Sequence, residues 1–340
     1  MEKQSRVTKK LIAEQLGLSI STVDRALNQR GNVKPETYRK VLEAAQELDY
    51  LVNKSASFLS RKQAFSIAVV LLEYPTHFWD QVEKGAEDAH RELRDYGLHI
   101  EMIRINDDAA KNVETIRDIV QSGNFDAIAL PAADDAYVDV IDQSIDGGFP
   151  VCTLNIDAPT SKRLFYVGCN YHNAGKLAGE LLCKLIGRSG KVALVTDSWT
   201  SFQSQQKITG FREALIDYPA VKMVGPLKME RENLTDSLLA IEGELKSVDG
   251  IYVSNAELDR IAQLDLNDST VLIGHDMNRA IYRNLNQGVI TAVICQDPVG
   301  QGYLAVKKMF NYLALNEEID VQENITKLEI VIKENAKFYF

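Results

Sequence analysis

The chain has 340 residues, 45% of them hydrophobic and 25% charged, which is an ordinary globular composition long enough for two or three domains. No apolar run approaches the roughly 18 residues that cross a bilayer, and the opening MEKQSRVTKK has no apolar core behind its charges, so neither a membrane span nor an export signal is expected. The net charge of -10 conceals a basic segment: residues 1–62 hold 12 Lys/Arg against 7 Asp/Glu, net +5, and the remainder holds 26 against 41, net -15, an asymmetry that fits a small nucleic-acid-binding head on an acidic body.

From residue 7 the head reads VTKKLIAEQLGLSISTVDRALN. Leu11, Ile12 and Leu16 recur at helical spacing, Gly17 breaks the helix, and Ser19 stands where an N-cap belongs. The second helix is expected to bury Val23, Ala26 and Leu27 and to turn Ile20, Ser21, Thr22 and Arg25 elsewhere. Two short helices joined by a Gly turn make a helix-turn-helix, whose second member is shaped for a DNA major groove. A small helical bundle of another kind would show the same spacing. Pro35 opens a third helix where its missing amide costs nothing. Val41, Leu42, Ala45 and Leu48 of that helix are expected to close a core with Leu11, Leu16, Val23 and Leu27. LVNKSASFLSRKQ then reads as a linker, in which Leu59 is a large apolar residue with no local partner.

From Phe65 the pattern changes. Strand-like runs FSIAVVLL, LHIEMIRI, FDAIALP, PVCTLN, KVALVT, VKMVG, GIYVS, STVLIG and TAVICQ alternate with helical stretches at 79–96, 111–122, 174–186, 204–218, 234–246 and 300–313. Nearly continuous apolar strands between amphipathic helices imply parallel sheets covered on both faces, and nine strands exceed one comfortable sheet. The expected body is therefore α/β with two similar lobes. Ligands of such sheets gather at the carboxyl ends of the strands. Phe78, Trp79, Asp134, Asn155, the segment 198–205 with Gln205, Asn255, Asp276 and Gln296 fall there. Ring faces for C–H surfaces, with amides and carboxylates for hydroxyls, suit a polyhydroxylated ligand.

Catalysis is not expected. No GxSxG, HExxH or Walker-type run occurs, and no GxGxxG opens a helix after a strand. The five His residues include no i,i+4 metal pair, and His275 beside Asp276 has no nucleophile placed with it. Cys152, Cys169, Cys183 and Cys295 lack metal-ligand spacing and read as buried thiols in a reducing cytoplasm. Neither a metal nor a cofactor is expected.

Two sets of motifs carry a resemblance. The segment VTKKLIAEQLGLSISTVDRALNQRGNVKPETYRKVLEAAQELDYLVNKSASFL resembles the headpiece and hinge of the lac-repressor family of bacterial regulators. The resemblance implies a helix-turn-helix headpiece over 1–50 and a hinge over 51–62. It implies that Ile20, Ser21 and Arg25 read base edges, Arg25 by forking onto guanine O6 and N7. Thr8, Ser19, Thr22 and Asn28 would meet phosphates, which set register. In the hinge, Asn53, Ala56 and Leu59 would meet operator DNA, Leu59 as a wedge between central base pairs from the minor groove. Asp24 departs from a position commonly Ser, and two roles stay open for it, a local cap or a contact to a cytosine amino group. Val52 stands where a Pro often precedes the hinge Asn.

The pieces HFWDQVEKGAEDA, YVGCNYHNAGKLAGELL, KITGFREAL, VLIGHDM and GVITAVICQDPVGQGYLAV are similar to the sugar-binding effector domain of the same family and to periplasmic ribose-type binding proteins. This implies an effector-binding and dimerisation domain over 63–340, with one lobe at 63–160 and 292–318 and the other at 161–291 and 319–340. The chain would cross between lobes near 160–171, 288–297 and 316–322. Phe78 and Trp79 would pack on a sugar, with Asn255, Asp276 and Gln296 as polar contacts. Gln205 stands where Arg is common, and Asn155 and Ile156 stand where Asp-Arg is common. With no evident Arg clamp, a neutral sugar or polyol is expected rather than a phosphorylated or acidic one. The implied whole is a cytoplasmic homodimer on a quasi-palindromic operator, controlled by a small-molecule effector between the lobes. The alternative is a solute-binding protein of a sugar transport system, which the basic head argues against; an enzyme acting on sugars stands third.

Overall fold

A computed structural model describes residues 8–27, 33–48, 63–106, 108–199, 201–230 and 233–339. The chain divides into two compact units, Met1–Gln63 and Ala64–Phe340. The expectations for Asn28, Asn53, Ala56, Leu59 and the rest of the hinge lie outside the described residues. No helix among the described residues is long and apolar enough to cross a membrane.

The described residues of the headpiece hold three helices, α1 (Lys9–Leu16), α2 (Ile20–Leu27) and α3 (Pro35–Glu47). Thr8 caps α1, its hydroxyl oxygen accepting from Leu11 N at 3.4 Å, and Gly17 ends that helix at φ 63°, the left-handed conformation that glycine adopts without a Cβ clash. Ser19 caps α2, its Oγ accepting from Thr22 N at 3.0 Å. Ile12, Ala13, Val23, Ala26, Val41, Ala44 and Ala45 form the buried core, with Leu16, Leu27 and Leu48 packed around it. Leu11 and Leu42, expected inside, are each 41% exposed. At 100° per residue, the stripes 12, 13, 16 and 41, 44, 45, 48 each leave the neighbouring Leu one step outside. Asp24 pairs with Lys9, tying α2 to α1.

The body is built on two six-stranded sheets. The first runs in the order β11-β5-β4-β3-β1-β2, from β1 (Phe65–Leu72), β2 (Leu98–Ile105), β3 (Ala127–Leu130), β4 (Val151–Leu154), β5 (Phe165–Gly168) and β11 (Glu323–Ile325). The second runs β12-β10-β9-β8-β6-β7, from β6 (Gly190–Thr196), β7 (Val221–Lys228), β8 (Gly250–Val253), β9 (Val271–His275), β10 (Ala292–Cys295) and β12 (Glu329–Val331). Every neighbouring pair is parallel except β10 with β12. The inner strands β3, β4, β8 and β10 are buried along their whole length, as a sheet covered on both faces demands, whereas the edge strand β2 is buried only at its two ends. All nine expected runs contain a strand. Beyond them are β5, β11 and β12, the helix Ala136–Asp146 and the helix Arg279–Gln287.

The lobe boundaries shift from those the resemblance implied: two crossings fall within the windows 160–171 and 288–297, and the third lies beyond 316–322. Phe165–Gly168 and Glu323–Ile325 pair into the first sheet, and Ala292–Cys295 pairs into the second. The crossings are therefore at 169–170, 296–297 and 326–328. These strands are short, and nothing in their residues names the sheet; only the backbone pairing does.

Candidate functional site

The carboxyl ends of both sheets contribute to one cavity of about 500 Å³. From the first lobe come Tyr74, Phe78 and Trp79, after β1, and Asn155, after β4. The second lobe supplies Ser204 and Lys207 from the helix Phe202–Leu215, Asn255 and Glu257 after β8, and His275 and Asp276 at the end of β9. Gln296 comes from a crossing between the lobes.

Backbone conformation aims two of these side chains. Asn155 and Asp276 both sit at φ 61°, each directly after a strand or its last residue. Asn and Asp are the side-chain-bearing residues that tolerate this left-handed turn best, and such strained positions concentrate at functional sites. Phe78 and Trp79 meet edge to face, with ring centroids 5.3 Å apart.

Beneath the cavity the crossings are knotted by hydrogen bonds. Gln296 Nε2 donates to Asp276 Oδ1 at 3.1 Å and Oδ2 at 3.0 Å. Gln296 Oε1 accepts from Asn155 Nδ2 at 3.3 Å and from the Cys169 thiol at 3.1 Å. Gln301 Nε2 and the Thr326 hydroxyl both donate to the Gln296 carbonyl at 2.9 Å. Tyr166 donates to the Asn155 carbonyl at 2.8 Å, and Tyr171 donates to the same oxygen. All of these groups are buried except the half-buried Asp276, so the network satisfies polar atoms that would otherwise be costly.

Charge in the cavity is unevenly matched. Burial pushes the Asp276 carboxyl up to about 6, against the opposing pull of Lys207 and of the Gln296 hydrogen bond. Lys207 is buried, donates to the Ser254 carbonyl at 2.7 Å and lies 5.6 Å from the Tyr171 ring centre. Burial lowers its pKa, with Cys169, Asp276 and Asp197 countering. Burial and the Lys207 charge hold His275 well below the usual imidazole range, so it is neutral near pH 7; its Nε2 lies 2.6 Å from the Tyr252 hydroxyl. Glu257 accepts from the Tyr74 hydroxyl, a bond that runs from one lobe to the other. Among the described residues no group of three or more His, Cys, Asp or Glu is placed to hold a metal ion.

Six of the expected ligand residues line this cavity: Phe78, Trp79, Asn155, Asn255, Asp276 and Gln296. Asp134 and Gln205 do not. The Asp134 carboxylate accepts from Ala136 N at 2.9 Å and is occupied in opening the helix Ala136–Asp146. Gln205 lines a separate cavity with Trp199 and Arg212. Ser204 and Lys207 share the helix face that meets the main cavity, and Gln205 is rotated 100° off it. Lys207, Glu257 and Tyr74 were not anticipated. Lys207 had a signal, its i,i+3 spacing from Ser204; Glu257 and Tyr74 had none.

On the headpiece, Ile20, Ser21 and Arg25 are exposed along α2, and Thr22 is half-buried with its hydroxyl 2.8 Å from that of Ser19. Among the described residues Arg25 has no hydrogen-bond or ion-pair partner. Thr8 and Ser19 serve as helix caps, which leaves their hydroxyl hydrogens available to a phosphate.

Comparison with known proteins covers both units. A model of the periplasmic binding protein domain matches residues 67–318, and one of the bacterial regulatory proteins of the lacI family matches residues 10–53. The HTH-type transcriptional regulator AglR of Rhizobium meliloti is 35% identical over a segment that takes in 40% of this chain and 38% of that protein. The ribose operon repressor of Bacillus subtilis is 25% identical over 73% of this chain and 72% of its own length. Among solved structures, GanP, a glucose-galactose binding protein from Geobacillus stearothermophilus, superposes with a TM-score of 0.72 at 27% identity, covering 80% of this chain and 99% of that one.

Proposed function

The chain belongs to the lacI family of bacterial regulatory proteins, with a periplasmic binding protein domain as its body, and from that premise we propose that it regulates transcription by holding operator DNA under the control of a small sugar or polyol bound between its lobes. One observation carries the reading. Aromatic, amide and carboxylate side chains of both lobes converge on one cavity with a crossing residue, Gln296, in its floor. A ligand there touches both lobes and a crossing between them, so it has different contacts in different lobe arrangements, which is what an allosteric effector requires.

In this reading Ile20, Ser21 and Arg25 face base edges, with Thr8, Ser19 and Thr22 on phosphates. The functional unit is a homodimer, since a two-fold protein and a quasi-palindromic operator impose the same half-site geometry. A solute-binding protein of a transport system would use the same body but leaves the helices of the headpiece without work. A screen of monosaccharides and polyols by thermal shift, followed by operator titration with each hit, tests the proposal. It expects at least one compound that raises the unfolding temperature and also changes operator affinity; a compound that does the first without the second goes against it.

A further inference from the structure

Glu257 is 6% exposed, and among the described residues its carboxylate has one hydrogen-bond partner, the neutral phenol of Tyr74. The two lysines of the cavity are engaged elsewhere, Lys207 with the Ser254 carbonyl at 2.7 Å and Lys228 with Glu230 at 2.7 Å. Among the described residues of the lining, four carboxylates, of Asp197, Glu230, Glu257 and Asp276, thus face two ammonium groups. A buried carboxylate with no cation beside it is an unfavourable arrangement that a ligand's positive charge relieves.

Two neighbours add to the case. Asn255 accepts from Glu257 N at 3.1 Å through Oδ1, while its Nδ2 is buried with no partner. An orphaned donor therefore stands next to an uncompensated acceptor on one loop. The first lobe presents Tyr74, Phe78 and Trp79 to the same space, and aromatic faces beside a carboxylate favour an ammonium over a neutral group.

We propose that the effector is a polyhydroxylated primary amine, of the amino sugar class, with its ammonium on Glu257 and an adjoining oxygen accepting from Asn255. This rests on the reading of the cleft as a carbohydrate site. The same charge balance disfavours phosphorylated and acidic sugars.

The test is calorimetric titration of the full chain near neutral pH with hexosamines, their parent hexoses, their N-acetyl derivatives and the hexose 6-phosphates. The expected result is a hexosamine that binds about tenfold or more tighter than both its parent and its N-acetyl form. That advantage shrinks as salt is added, and Glu257→Gln, which keeps an acceptor for Tyr74, removes the ratio. Should E257Q fail to fold, the salt dependence and the amine to N-acetyl ratio of the wild type decide. A parent hexose or polyol that binds as tightly as its amine, or a preference that survives in E257Q, overturns the proposal and leaves the carbohydrate cleft standing. Failure of every sugar, charged and neutral, overturns both.

Discussion

The side-chain amide of Gln296 reaches both carboxylate oxygens of Asp276, at 3.1 and 3.0 Å. Its oxygen end is held by Asn155 and Cys169, donors that fix which way the amide faces. One side chain thus joins a lobe crossing to the floor of the cleft, and a ligand that draws on Asp276 also draws on that crossing.

Asp276 should make both stability and effector binding depend on pH. Burial raises its folded pKa to about 6, above the ordinary carboxylate value. For a carboxyl raised in this way, the stabilising contribution is complete below the unfolded pKa and is lost as pH rises through about 6. Asp276→Asn is therefore expected to unfold alongside the wild type near about pH 4 and to gain about 2–3 kcal/mol on it at neutral pH. Effector affinity runs the other way, because the carboxylate is the hydrogen-bond acceptor, and falls as pH drops below about 6. Thermal unfolding across this window, with and without a bound sugar, measures both; a gain for Asp276→Asn that is the same at acid and neutral pH would dismiss the burial account.

Gln301 is fully buried behind the cavity lining and binds three segments together. Its Oε1 lies 3.1 Å from Asn155 Nδ2, and its Nε2 lies 2.9 Å from the Gln296 carbonyl and 3.4 Å from the Thr326 hydroxyl. Gln301→Leu is close in volume but strips partners from buried groups, so a loss of about 2–4 kcal/mol in urea unfolding is expected. Effector affinity should fall with it, since the Gln296 carbonyl loses a donor and Asn155, which holds the Gln296 side chain, loses an acceptor. Undiminished stability together with undiminished affinity would show that the knot holds without this residue.

The alternation of apolar runs and amphipathic helices made the two-sheet body legible, since strands covered on both faces must be apolar throughout. Strand ends then pointed to Phe78, Trp79, Asn155, Asn255, Asp276 and Gln296, which the fold brings to one cavity. Glu257 stayed hidden because a charged residue on a loop reads as solvated and nothing local reveals that packing buries it, whereas Lys207 was marked only by its spacing from Ser204. Asp24 was open between a cap and a base contact. Its partner is Lys9, 15 positions away in sequence, which no local rule would have paired with it. The membership of β5, β10 and β11 was likewise a matter of backbone pairing and not of composition.

Arg25 projects from α2 without a partner among the described residues, free to fork onto a base edge. Arg25→Ala is expected to cost about 1–3 kcal/mol of discrimination between an operator and a scrambled duplex. Binding to the scrambled duplex should change far less, because phosphate contacts carry most of it. The body does not contain Arg25, so effector titrations of the variant should match the wild type. Fluorescence anisotropy with the two duplexes at one fixed salt concentration reads the effect, and equal discrimination in wild type and variant would take Arg25 out of base reading.

Gly302 lies on the helix Pro298–Leu315, which begins two residues after Gln296. A Cβ there would stand 2.0 Å from the Val82 carbonyl oxygen, and one on Gly85 would stand 1.9 Å from that of Val299, so this helix and Thr76–Leu93 touch backbone to backbone. The second helix carries Phe78 and Trp79 in its first turn, and a forced separation would move the aromatic wall away from the lobe crossing at Gln296. Gly302→Ala is expected to lose about 1–3 kcal/mol through overpacking, and to lose effector affinity as well. Gly243→Ala supplies the contrast. Gly243 is exposed within the helix Leu234–Leu245 and a Cβ there meets nothing within 4 Å, so alanine should stabilise by about 0.5–1 kcal/mol. Thermal unfolding of the two variants side by side should move in opposite directions; a Gly302→Ala protein as stable as Gly243→Ala would mean that the helices part at no cost and that their close approach does not set the cleft.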